Sequence, residues 1–168
     1  NILDKLKKTK KLFIDEESRQ VLDLKGYNLP MKTPVFVLTR GDGTSLYPLR
    51  DLVYTIEKLK KAPKKNLWVL GEDHKLYYLQ LKAALELLKL ASPEVIHYSF
   101  VLLQEGKMST RQGRVVLLED LMKESVKKAQ KELKKRKIQD SEKLAKQIAY
   151  GAIKFAILRV SIDKNVLF

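Results

Sequence analysis

Short apolar runs alternate with helical stretches through much of the chain. The apolar runs are typical of buried strands and lie at residues 34–39, 67–70 and 97–104. The stretches between them predict helices over residues 48 to about 61 and 75 to about 90. Strands that alternate with helices indicate an α/β fold, in which a parallel sheet carries helices on its faces. In that layout ligands bind beyond the carboxyl ends of the strands.

The segments on either side of this core extend the prediction to the whole chain. Residues 1–33 predict a basic helix end and a β-hairpin with strands at 12–14 and 20–22. Residues 34–118 form the predicted α/β core, which ends in a strand at 115–118. Residues 119–168 predict a helical layer, with helices over 119 to about 137 and 141 to about 161. Because no repeat or linker divides the sequence, we expect residues 1–168 to form a single domain.

Composition excludes several kinds of site. The chain has no cysteine, which removes disulfides and thiolate metal sites, and only two histidines, His74 and His97. We therefore predict no protein-bound metal. No apolar run approaches the ~20 residues that span a bilayer, and the N-terminus lacks the layout of a signal peptide. These features predict a soluble, cytoplasmic protein without a membrane partner.

The charge of the chain is strongly basic, with 34 Lys and Arg, 20 Asp and Glu, and a net charge of +14. Such an excess favours a polyanionic partner, because cations that contact phosphates release counterions. Part of it lies between Lys123 and Lys146, where ten basic residues accompany four acidic ones. A solvated lysine-rich helix face explains this segment as well as an RNA-binding surface does.

The segment GKMSTRQG, residues 106–113, carries the most informative chemistry. It places two cations and two hydroxyls between glycines, a set that suits a polyphosphate because it can neutralise charge on departing pyrophosphate. It is not a P-loop, which needs Gly-x-x-x-x-Gly-Lys-Ser/Thr. Taken alone, this segment would be explained better by a basic hairpin loop without a phosphate-binding role.

The same segment resembles the KMSKS loop of class I aminoacyl-tRNA synthetases, in the variant typical of arginyl-tRNA synthetases. Residues 41–51, GDGTSLYPLRD, resemble another segment of that family. Residues 71–74, GEDH, followed by QLKAAL at 80–85, resemble a third, and GAIKF at 151–155 resembles a fourth. These matches occur in the family's order and cover nearly the whole chain. The resemblance implies a partial Rossmann-like domain, the C-terminal portion of the catalytic domain.

The resemblance also implies roles for individual residues. Tyr47 and Asp51 are the implied arginine-binding residues, and a carboxylate can accept the paired donors of a guanidinium. Asp51 would also suit the first turn of a helix for its charge alone. The residues implied to bind ATP are Gly71, Asp73, His74 and Met108.

The implied catalytic residues lie in the loop and face the phosphates of ATP. They are Lys107, Ser109 and Arg111. Thr110 stands where many class I enzymes have the loop's second lysine. Gln112 stands where this family often has a lysine or an arginine. Phosphate stabilisation would therefore rest on Lys107, Arg111 or a group outside the chain.

The implied function is activation of arginine by ATP, with Mg²⁺ assisting, and transfer to tRNA(Arg). The family's HIGH motif needs two histidines three residues apart, whereas His74 and His97 are twenty-three apart. We therefore expect a fragment without the HIGH-bearing half or the anticodon-binding domain, inactive alone. The alternatives are a non-catalytic truncated paralogue that binds RNA or a partner through the Lys123–Lys146 segment, and an unrelated basic nucleotide-binding protein.

Overall fold

Helices and short strands follow one another in the computed structural model, which describes residues 2–61, 65–103, 106–107, 115–138 and 142–167. Two compact units are present, Asn1–His97 and Tyr98–Phe168, and each is described by itself. That residues 1–168 form a single domain stays a prediction, because packing within each unit does not show whether the two units fold independently. In chain order the elements are α1 (Ile2–Lys8), β1 (Leu12–Ile14), β2 (Gln20–Asp23), β3 (Val35–Val37), α2 (Tyr47–Lys61), β4 (Leu67–Gly71), a 3₁₀ turn (Glu72–His74), α3 (Lys75–Leu87), β5 (Glu94–Tyr98), β6 (Val101–Leu103), β7 (Gly106–Lys107), α4 (Leu118–Lys135), α5 (Glu142–Leu158) and β8 (Val166–Leu167).

The predicted hairpin is confirmed and forms part of a three-stranded antiparallel sheet. Its order is β1-β2-β3, with Leu12 opposite Leu22 and Leu22 opposite Phe36. Leu22 and Phe36 are buried, so one face of the sheet contributes to the core. We expected β3 to join the later strands in one parallel sheet, but it pairs with β2. A short apolar run predicts that a strand is buried, but it does not predict which neighbouring strand it pairs with.

The parallel arrangement is present in the next part of the chain, where β4 and β5 form a two-stranded sheet. The backbone N–H of Glu94 donates to the carbonyl of Asn66 at 2.8 Å, which places the beginnings of the two strands side by side. The strands therefore run in the same direction, and α3 is the crossover helix between them. The predicted α/β character of the chain is confirmed by this β-α-β unit.

The core of the first unit lies between the antiparallel sheet and helices α1, α2 and α3. Helices α2 and α3 contribute apolar faces, and Leu52, Leu81 and Leu85 are fully buried. Pro48 is the second residue of α2, where its missing N–H costs no intrahelical bond. The buried members of the core are Leu6, Leu22, Leu24, Phe36, Leu38, Leu49, Leu52, Tyr77, Leu81, Ala83, Ala84 and Leu85.

In the second unit α4 packs against α5, which confirms the two helices predicted after the loop. Ala129 and Leu133 of α4 meet Ala145 and Ala149 of α5 in a small buried cluster. Three of these four side chains are methyl groups, and Val126 and Leu144 pack against the cluster. A three-stranded sheet of order β7-β6-β8 accompanies the helices.

Two predicted strands differ from the structure. Residues 115–117 form no strand, and Leu118 already begins α4, because Glu119 and Asp120 favour a helix N-terminus. The strand predicted at 97–104 is divided into β5 and β6. At the break the Asn165 side-chain carbonyl accepts from Ser99 Oγ at 2.6 Å and from the Phe100 N–H at 3.1 Å, in place of a neighbouring strand.

Candidate functional site

Three of the residues singled out by the sequence are brought together by Tyr77, a residue of α3 that the sequence did not single out. The Tyr77 hydroxyl donates a hydrogen bond to Oδ2 of Asp51. Its ring lies 5.0 Å from the ring of Tyr47 and 6.0 Å from that of His74, measured between centroids. On a further side the ring of Phe36 lies at 5.8 Å. One side chain therefore contacts both predicted arginine-binding residues and a residue of the segment predicted to bind ATP.

Tyr47 and Asp51 occupy the first turns of α2, four residues apart and hence on the same side of the helix. We call them the α2 pair. Leu49 and Leu52 are buried in the core and fix the rotation of α2, so the α2 pair lies at the edge of that core. Tyr47 is 53% exposed, and Asp51 is partly buried. A ligand from solvent can therefore reach both side chains.

The carboxylate of Asp51 has a neutral hydrogen-bond partner and no counter-ion among the described residues. Arg50 precedes it in the chain but is exposed and forms no ion pair with it. Other carboxylates of the first unit do form ion pairs, as Asp23 does with Lys11 at 3.3 Å. A partly buried carboxylate without a cation is a favourable place for a cationic ligand.

The pKa of Tyr77 is raised above its usual value of 10.0, first by burial and then by the hydrogen bond to Asp51 and the negative charge of that carboxylate. All three causes disfavour the phenolate. Like any tyrosine, Tyr77 is protonated at neutral pH, and its raised pKa keeps it a donor to Asp51 at higher pH as well.

The predicted ATP segment, residues 71–74, follows directly on β4, and we call it the strand-end turn. Gly71 ends β4 with extended backbone, φ −60° and ψ 155°, and residues 72–74 form the 3₁₀ turn that leads into α3. Asp73 and His74 are both exposed. The strand-end turn thus lies at the carboxyl end of a parallel strand, where the α/β layout places ligands.

The predicted catalytic loop is described only at its beginning. The backbone of Gly106 and Lys107 forms β7, which pairs antiparallel with β6 through Leu103 and Leu102. Met108, Ser109 and Arg111 lie outside the described residues. The roles assigned to Lys107, Ser109, Arg111 and Met108 therefore stay predictions.

The described ranges contain no group of three or more His, Asp or Glu side chains arranged to hold a metal ion. Over the same ranges, no helix has the length and apolar character needed to cross a membrane.

Comparison with known proteins gives the family. Residues 1–168 match the family model described as "tRNA synthetases class I (R), catalytic domain". The chain is 41% identical over 167 residues to the arginine–tRNA ligase of Methanocaldococcus jannaschii, a match that covers 99% of this chain and 28% of the relative. It is 43% identical over 152 residues to the arginine–tRNA ligase of Methanocella arvoryzae, covering 88% of this chain and 26% of the relative.

Among solved structures, the Thermus thermophilus arginyl-tRNA synthetase has a similar fold. The TM-score is 0.74 at 21% identity, and the match covers 99% of this chain and 34% of that one. The chain therefore has an α/β fold similar to that of a class I synthetase. The chain belongs to the family of class I arginyl-tRNA synthetase catalytic domains. It spans less than a third of the length of the curated relatives named above.

Proposed function

We propose that this chain is part of an arginyl-tRNA synthetase that activates arginine with ATP and transfers it to tRNA(Arg). The observation that supports this best is the carboxylate of Asp51, which is partly buried, reachable from solvent and without a cationic partner among the described residues. The arginine–tRNA ligase relatives, about 40% identical, support the same function.

In this proposal the guanidinium of arginine binds Asp51, and the phenol of Tyr47 contacts the same ligand. A carboxylate and a guanidinium can form two parallel N–H···O bonds, which fix orientation as well as affinity. Such orientation directs the arginine carboxylate away from α2. The α2 pair would therefore select the amino acid rather than take part in bond making.

ATP would bind at the strand-end turn and the loop. Gly71 leaves room for the adenosine, Asp73 accepts from ribose hydroxyls, and His74 and Met108 border the nucleotide. We propose that residues 106–113 are a KMSKS-type loop and that the chain is the C-terminal portion of the catalytic domain. Lys107, Ser109 and Arg111 would then face the phosphates, and Mg²⁺ would accompany ATP.

The reaction has two steps. An oxygen of the arginine carboxylate attacks the α-phosphorus of ATP, and the bond to the bridging oxygen breaks, releasing pyrophosphate and leaving arginyl adenylate. A ribose hydroxyl at the 3′ end of tRNA then attacks the arginyl carbonyl, loses its proton, and AMP departs. The enzyme contributes positioning and stabilisation of charge on the phosphates, without a covalent enzyme intermediate.

The test is arginine-dependent ATP–pyrophosphate exchange in the presence of tRNA, measured on the protein at its full encoded length. We expect exchange with arginine and none when arginine is omitted. Lys107→Ala should lower kcat about 10²-fold or more, because a cation that faces the phosphates stabilises the transition state. Lys8→Ala in α1 is the control and should leave exchange unchanged. Absence of arginine-dependent exchange in the unaltered protein would contradict the proposal.

A second candidate function is RNA or partner binding through α4. Lys123, Lys127, Lys131 and Lys134 are exposed along this helix. A groove of about 630 Å³ lies between α4 and α5 and is bordered by Lys123, Lys127, Met122 and Val126. This candidate predicts RNA affinity that falls steeply with salt and is lost when the lysines are changed to Glu, while Lys107→Ala has little effect.

A further inference from the structure

We infer that Tyr77 is the positioning residue of the arginine site: it orients the carboxylate of Asp51 and is shared with the strand-end turn. The inference rests on the proposed function and adds a residue outside both predicted sets. Its basis is the hydrogen bond to Asp51 together with the ring contacts to Tyr47 and His74.

Tyr77 is itself firmly held, which is the first requirement for a positioning residue. It is 9% exposed, and it belongs to the core together with Phe36. One turn further along α3, Leu81 is fully buried. The hydroxyl therefore has a fixed place that depends on the packing of α3 and not on a ligand.

Asp51, by contrast, depends on Tyr77 for its orientation. Its side chain belongs to α2, twenty-six residues earlier in the chain, and the Tyr77 hydroxyl binds its Oδ2. Among the described residues no ion pair competes for the carboxylate. A single fixed donor thus selects one rotamer of Asp51 before any ligand arrives, and such preorganisation lowers the entropy lost on binding.

The same hydrogen bond leaves acceptors for an incoming guanidinium. Oδ1 of Asp51 carries no bond from Tyr77, and the phenol oxygen, whose O–H donates to Oδ2, still has lone pairs that can accept. The exposed ring of Tyr47 borders this place, 5.0 Å from the ring of Tyr77. A planar cation with several N–H donors fits this set of acceptors better than a single-point ammonium does.

The ring of Tyr77 has a separate role from its hydroxyl. It contacts His74 of the strand-end turn edge-on, at an interplanar angle of 79°. Removal of the hydroxyl alone keeps this contact. Tyr77→Phe should therefore affect the arginine site and spare the ATP site.

The experiment compares Tyr77→Phe with Tyr78→Phe in the protein at its full encoded length. Tyr78 is the adjacent residue, is equally buried at 9%, and its hydroxyl donates to the Pro93 carbonyl at 2.6 Å rather than to Asp51. In ATP–pyrophosphate exchange, Tyr77→Phe should raise the arginine KM about tenfold, the effect of one hydrogen bond to a charged group. The ATP KM and kcat should stay within about twofold, the pattern of lost substrate binding. Tyr78→Phe should leave the arginine KM, the ATP KM and kcat unchanged.

A double-mutant cycle tests whether Tyr77 acts through Asp51. In an Asp51→Ala background, Tyr77→Phe should have almost no further effect on the arginine KM, because the group that it orients is gone. Full additivity of the two effects would overturn the inference. So would an arginine KM in Tyr77→Phe that equals that of Tyr78→Phe. If the unaltered protein shows no arginine-dependent exchange, both the proposed function and this inference fail, whereas an active protein that is insensitive to Tyr77→Phe overturns this inference alone.

Discussion

The side chain of Gln80 on α3 donates a hydrogen bond from Nε2 to the backbone carbonyl of Val35 on β3, at 2.7 Å. The carbonyl of Pro34 and the N–H of Leu38 both bond toward β2. Because strand residues alternate in direction, the carbonyl of Val35 faces away from β2, at the edge of the sheet. Gln80 therefore satisfies a backbone group that an edge strand would otherwise leave unpaired.

Gln80→Leu should destabilise the protein by about 1–3 kcal/mol, because it leaves the carbonyl of Val35 without its partner in a partly buried place. Urea unfolding of the variant gives the difference. Lys82→Leu, at an exposed position of the same helix, is the control and should stay within about 0.5 kcal/mol. Equal stabilities for the two variants would show that the bond to Val35 contributes nothing.

Asp51→Asn should raise the arginine KM by about 10²-fold or more, since an amide keeps the shape of the side chain but removes the charge that a guanidinium requires. The ATP KM should not change. Asp23→Asn is the matched control, because Asp23 is also partly buried but already pairs with Lys11. An arginine KM equally insensitive to both substitutions would remove Asp51 from the arginine site.

Gly41→Ala should destabilise the protein by about 1–3 kcal/mol, the usual cost of overpacking. A Cβ at this position would lie 2.5 Å from the backbone carbonyl oxygen of Glu17, in the hairpin turn. Gly151→Ala is the opposite case: the position is helical with nothing within 4 Å, so the change should stabilise by about 0.5–1 kcal/mol. Thermal unfolding measures both, and stabilisation by Gly41→Ala would contradict the close approach.

The raised pKa of Tyr77 makes its contribution to stability depend on pH. An unfolded tyrosine ionises near its ordinary value of 10.0, whereas folded Tyr77 keeps its proton to higher pH. The contribution is therefore complete below the unfolded pKa and is lost as pH rises above it. The stability difference between the unaltered protein and Tyr77→Phe should shrink between about pH 9 and pH 11, as measured by urea unfolding. A constant difference over that interval would contradict the shift.

The elements most clearly predictable from the sequence were those with sustained periodicity. Helices α4 and α5 repeat apolar residues over several turns, and their packing through Ala129 and Ala149 follows from that pattern. The prediction of a strand at residues 115–118 was wrong, because a four-residue apolar run is as typical of the beginning of a helix as of a strand. The acidic residues at 119 and 120 were the signal that favoured the helix.

Individual residues of the site were predictable from the sequence, but the contact between Tyr77 and Asp51 was not. The resemblance selected Tyr47, Asp51 and His74, whereas no motif pointed to Tyr77. It is in the core, yet its hydroxyl reaches Asp51 across a separation of twenty-six residues. That pairing depends on how α2 and α3 pack. The strand-end turn was predicted more directly, because its position after β4 follows from chain order alone.

The aromatic cluster around Tyr77 also has a genetic consequence. Its ring touches Tyr47, His74 and Phe36, so one side chain supports three others that the chain supplies from separate elements. Substitutions at these positions should be epistatic: a change tolerated at Tyr47 or His74 alone should become harmful once Tyr77 is altered. Over evolutionary time these positions should therefore change in concert, with Tyr77 as the slowest to vary.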